Sequence, residues 1–110
     1  MADFVELLIE AGANFNTVIT VNESDGSVKN LSSYTARSQI RKSYYSTTAV
    51  DFTVTIDDPL NGIIRMQMPA ATTANIRAGR YVYDVEIESA SGDVERIFEG
   101  IATVTPNVTR

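Results

Sequence analysis

The chain has 110 residues, nine Lys or Arg against fourteen Asp or Glu (formal charge −5), 44% apolar residues, and no Cys, His or Trp. Those figures fit one globular domain. They exclude disulfide frameworks, thiolate or imidazole metal sites, Ser-His-Asp catalysis and the buried Trp and cystine pin of antibody-type domains. The acidic balance (pI about 4.5) also argues against nucleic acid or an anionic membrane as the main partner, because both need basic surface.

The N-terminal Met-Ala-Asp-Phe-Val-Glu has neither a basic region nor a long apolar stretch, so the expectation is a chain made in a cytoplasm without a secretory signal. From there on, apolar residues recur with period two, the signal of strands rather than helices. Val5, Leu7 and Ile9 alternate with Glu6, Leu8 and Glu10, and Phe15, Thr17, Ile19 and Val21 form a second run. Asn22-Glu23-Ser24-Asp25-Gly26 reads as a tight turn. Tyr34, Ala36 and Ile40 then share one face of a strand, with Thr35, Arg37, Gln39 and Arg41 on the other. Val50, Phe52, Val54 and Ile56 make the cleanest alternation and read as one strand, stopped by a longer turn that contains Pro59.

Ile64, Met66 and Met68 come next, and the pattern breaks at Pro69. Residues 71–77 are predicted as one short helical turn, capped by Thr72 and ended by Gly79. Tyr81, Tyr83, Val85 and Ile87 follow. In sandwich domains such a strand carries the tyrosine corner, for which Tyr81 and Tyr83 are both candidates. After Ser91-Gly92-Asp93, a last run extends from Val94 to Thr105, with Gly100 marking a bulge or a close backbone approach. The predicted architecture is all-β: a single Ig-like antiparallel β-sandwich of about seven strands spanning 1–110.

Few residues offer chemistry. Asp57 and Asp58 share a turn, and Asp84, Glu86 and Glu88 line an outward strand face, where carboxylates are solvated rather than tuned for acid-base work. Asp57, Asp58 and Asn61, or Glu23 and Asp25, offer oxygen atoms for calcium, but neither loop has the spacing of an EF-hand, and turns favour these residues for backbone reasons. Lys29 and Lys42, the only lysines, sit in polar surroundings unsuited to a Ser-Lys pair. Asn107-Val108-Thr109 has the form of a glycosylation acceptor without the secretory context that would use it. No catalytic residue, metal or cofactor is expected. The most distinctive cluster is Arg37, Arg41 and Lys42 followed at once by Tyr44 and Tyr45, since Arg and Tyr dominate protein interfaces. The alternative is that Arg37 and Arg41 pair across strands with Asp84, Glu86 or Glu88, while a Tyr packs in the core.

Three stretches resemble one family. Residues 31–42 (LSSYTARSQIRK), 79–87 (GRYVYDVEI) and 99–110 (EGIATVTPNVTR) are similar, in order, to blocks of small structural proteins of tailed bacteriophages. The likeness is to short virion proteins of T4-like cyanophages and, more distantly, to the N-terminal domain of phage upper-baseplate proteins. It implies an Ig-like sandwich docked in a virion in symmetric multiple copies, contacting other virion proteins, with no enzymatic activity and neither nucleic acid nor membrane as partner. The baseplate proteins continue into long C-terminal extensions and this sequence stops at Arg110, which favours an accessory or adaptor over host recognition. The blocks are fold signatures as much as functional ones, so Tyr34, Gly79, Tyr81 and Tyr83 are expected to build the sandwich. An outer capsid decoration protein and a carbohydrate-binding adhesion module, with Tyr44 and Tyr45 as its platform, are the alternative functions.

Overall fold

In a computed structural model of the chain, residues 3–108 are described and form two packed sheets. The first contains β1 (Asp3–Phe4), β2 (Leu7–Glu10), β4 (Thr35–Arg41), β5 (Ala49–Asp51), β8 (Gly79–Glu88) and β9 (Val94–Thr105). Its order is β1-β9-β8-β4-β5, with β2 also paired to β9. The second has the order β3-β7-β6, from β3 (Phe15–Thr20), β6 (Thr53–Asp58) and β7 (Ile63–Met68). The chain is thus all-β, with its two sheets packed as a sandwich, in keeping with its alternation. Inward residues of both sheets, among them Ile9, Ile40, Ile64, Met66, Val85, Ile87 and Val104, form one core and are almost inaccessible to solvent.

Among the described residues nine strands replace the expected seven, for two physical reasons. The first run is interrupted at Val5-Glu6, giving β1 and β2 in one unbroken register along β9. Both pair parallel to β9, so the expectation of a wholly antiparallel sandwich is corrected: the first strand lies beside the last instead of beside the second. The run through Val50 and Ile56 is also not one strand. Its first part, β5, pairs with β4, and its second, β6, pairs with β7, so the chain changes sheet at Phe52. The Phe52 amide donates to Ser38 O (3.0 Å), and its ring, buried in the core, lies 5.6 Å from Phe15 and 6.5 Å from Tyr83. A strand that serves both sheets keeps its inward alternation throughout, which is why periodicity alone does not reveal the break.

The helical turn, α1, spans Ala70–Thr73 and begins after Pro69, whose missing N–H costs nothing at that point. Thr72 does not cap it and Gly79 does not end it; Gly79 opens β8 instead. Thr73 is fully buried. Its hydroxyl receives the Gly12 amide (3.1 Å) and donates to Ala13 O (2.8 Å), fastening the β2–β3 connection onto α1.

Gly100 is a close approach, while the bulge lies nearby. The β8–β9 register shifts between Val85, opposite Phe98, and Glu86, opposite Arg96, which leaves Ile97 as the extra residue. At Gly100 the first strand crosses so near that an added Cβ would overlap the Val5 carbonyl oxygen. Val5 N donates to Glu99 O (2.9 Å), and Tyr83, directly opposite Gly100, donates its hydroxyl to Val5 O (2.6 Å). Burial pushes the Tyr83 phenol up to about 12.

Candidate functional site

Strand alternation sends Arg37, Gln39 and Arg41 of β4 to the outer face of the larger sheet, in register with Glu86, Asp84 and Val82 of β8. Asp84 and Val82 stand in turn beside Glu99 and Ile101 of β9. This face decides how the basic cluster is used. The Arg37 guanidinium bridges Glu86 (3.0 Å) and Glu88 (2.9 Å), which raises its own already high pKa through those hydrogen bonds. Arg96 lies 3.3 Å from Asp84 and 3.9 Å from Glu99. Such exposed pairs add little to stability, because solvent and salt screen them, so they neutralise the face more than they stabilise the fold. Asp84 is pushed above the ordinary carboxylate range, first by burial and then by Glu86, and Arg96 offsets this only in part.

Among the described residues Arg41 meets no carboxylate at ion-pair distance. Its guanidinium donates to Ser46 O (2.7 Å) and to Gln39 Oε1 (3.0 Å), while Gln39 Nε2 donates to Asp51 (2.6 Å). The chain Asp51–Gln39–Arg41–Ser46 therefore shapes the β4–β5 connection. Lys42 turns back over Tyr81 (5.0 Å from the ring centre) and donates to Arg80 O (3.3 Å). The three cations are thus engaged within the domain, Arg37 in the cross-strand pairing weighed as the alternative. Tyr44 and Tyr45, at the tip of the same connection, are 71% and 94% exposed. Neither ring packs in the core. Tyr44, Arg41, Gln39, Val82, Asp84 and Glu99 border a shallow depression of ≈ 310 Å³ beside that tip. An exposed aromatic pair next to a largely charged, ion-paired sheet face can bind a surface.

The fold-determining residues divide by role. Tyr81 is the tyrosine corner, its hydroxyl donating to Arg77 O four residues upstream (2.6 Å). Tyr83 instead locks β1, and Tyr34 packs against the core with Lys29 Nζ 5.5 Å from its ring centre. Gly79 adopts φ +144°, where a side chain would also press on Lys42 Nζ. The turn carboxylates each have a local partner: Glu23 with Lys29, Asp25 with Ser27, Asp57 with Arg65, Asp58 with Asn61. Hydrogen bonds from Ser27, and from Arg65 and Thr55, hold Asp25 and Asp57 below the usual carboxylate range. Among the described residues no group of three or more acidic side chains converges for a metal ion, and no helix is long and apolar enough to cross a membrane. Met1, Ala2, Thr109 and Arg110 lie outside the described residues, and with them the ends of the N-terminal motif, the Asn-Val-Thr sequence and the third resembling block. Sequence reasoning missed Thr73, Ser38 (buried, donating to Asp84 O at 2.5 Å) and the Gln39–Asp51 link. A Ser at an inward position of an alternating strand was the available signal for Ser38.

No family model and no curated protein matches the chain. Among solved structures it is similar to a Listeria monocytogenes internalin-like protein, with 16% identity and a TM-score of 0.49 over 94% of this chain. The chain spans 28% of the length of that protein.

Proposed function

We propose that this protein is a non-enzymatic structural component of a tailed-phage virion, an accessory or adaptor domain that docks on tail, neck or baseplate proteins in multiple copies. The observation that carries the reading is the distribution of the three phage-like stretches. They supply β4, β8 and the second half of β9, which are neighbours in one sheet, and the first stretch runs directly into the exposed Tyr44-Tyr45 tip. Two exposed tyrosines beside a polar, ion-paired face suit a protein partner, since Tyr buries large area at modest entropic cost. Repetition by symmetry lets weak single contacts sum to firm attachment.

The test is incorporation of a Tyr44→Ser/Tyr45→Ser double variant into particles. Among the described residues neither ring has a hydrogen-bond partner, and both are exposed, so unfolding should shift by no more than ~0.5 kcal/mol. The variant is expected to fold normally and to be depleted from purified particles; wild-type incorporation would remove this surface from the account. Arg41→Glu is a poorer probe, because Arg41 also shapes the connection that presents the tyrosines. A glycan-adhesion module is favoured only by the exposure of the same two rings, and a glycan array without binding would eliminate it.

A further inference from the structure

Among the described residues five strands lie at sheet edges, and of these β3 alone carries no charge. The others contain Asp3 (β1), Glu10 (β2), Asp51 (β5), and Asp57 and Asp58 (β6), and β6 is further broken by a register shift before Asp58. Charges and irregularities of this kind are how exposed edges are kept from pairing. By contrast β3 is six residues of Phe-Asn-Thr-Val-Ile-Thr, with no Pro, no charge and an unshifted register on β7. Val21, which extends that register, donates to Gly62 O (2.8 Å). Antiparallel alternation therefore turns Phe15, Thr17 and Ile19 towards β7, and directs the N–H and C=O groups of Asn16, Val18 and Thr20 to the open side.

We propose that β3 pairs with β3 of a second copy of this chain, antiparallel about a twofold axis at Val18. Asn16 then lies opposite Thr20 of the second copy and Val18 opposite Val18 of the second copy. Each pair exchanges two backbone hydrogen bonds, and the two three-stranded sheets fuse into one of six. What selects a second copy is charge. A chain of net charge −5 that pairs with itself through β1, β2, β5 or β6 brings carboxylates of both copies onto the shared edge, whereas β3 sets Asn, Val and Thr against Thr, Val and Asn. The outer side chain of Val18 is 47% exposed in the monomer, and its cross-strand neighbour Arg65 is already paired with Asp57. Glu6 and Glu10, across the groove from β3, add repulsion that salt screens, so association strengthens as ionic strength rises. The pairing rests on edge chemistry and not on the virion reading; a monomer overturns it and leaves that reading to its own test.

Sedimentation equilibrium of the full chain, from micromolar to millimolar concentration, is expected to show a monomer–dimer equilibrium. Val18→Lys should weaken it at least ~fivefold by setting two ammonium groups face to face on the paired edges. Because the protein has no Cys, Val18→Cys gives a clean register test, with Val28→Cys, exposed to the same 47%, as control. Mild oxidation should link Val18→Cys into dimers and leave Val28→Cys monomeric. A monomer at millimolar concentration in high salt, or equal cross-linking of the two variants, overturns the proposal.

Discussion

Replacing Gly100 by Ala strikes the point where the first strand is fastened to the sandwich. An added Cβ cannot coexist with the Val5 carbonyl, so β1 must move away from β9. The move breaks the Val5 N–Glu99 O and Tyr83–Val5 O hydrogen bonds, about 1 kcal/mol each in net terms. It also uncovers part of the Val5 side chain, which packs against the core, for about 1 kcal/mol more. Gly100→Ala should therefore cost roughly 3 kcal/mol. Tyr83→Phe removes only the hydroxyl and leaves a buried carbonyl short of a donor, for roughly 1.5 kcal/mol. The two act through the same oxygen, so the double variant should lose close to 3 kcal/mol rather than the sum, a coupling of about 1–1.5 kcal/mol. Urea unfolding followed by circular dichroism measures all three, and amide exchange at Val5 should quicken in both single variants. A loss below 1 kcal/mol for Gly100→Ala, or additive effects, would refute this account of the first strand.

Thr73→Val should cost about 2–3 kcal/mol by stranding the Gly12 amide and Ala13 carbonyl, and Thr73→Ser should recover most of it, both read from urea midpoints. The Tyr83 phenol is raised from 10.0 to about 12 on folding, so its contribution is whole below pH 10 and is lost as pH rises through about 12. Unfolding midpoints should fall over that window, and Tyr83→Phe should remove that part of the fall. Asp84 moves in the same direction for a carboxyl: the folded state holds its proton more tightly than the unfolded one, and ionisation costs stability. Asp84→Asn should therefore raise the midpoint at pH 7, with the gain vanishing once the pH drops below the ordinary carboxylate range.

Alternation made the inward faces legible, because a half-buried strand must repeat every two residues. Ile40, Val85 and Met66 all stand where that repeat puts them. It could not reveal which sheet a strand joins. The sheet change at Phe52 preserves the same inward period, and the parallel seat of β1 and β2 on β9 depends on long-range geometry at Gly100 that local pattern does not encode. The tyrosine pair in β8 is legible in the sequence, but only the folded chain separates Tyr81, bonded within its own neighbourhood, from Tyr83, bonded across the fold to Val5. In the candidate surface the cluster of five was visible from residue type alone. Its division into engaged cations and exposed rings depends on Glu86, Glu88, Gln39 and Ser46, which approach through strand register and loop closure.

Quantitative mass spectrometry of purified particles, separated into heads and tails, tests the virion reading most directly. The protein is expected in the tail fraction, at a copy number set by the symmetry of the proteins it docks on. A large excess in the head fraction would make it a capsid decoration protein instead, and absence from both fractions would contradict a virion role altogether.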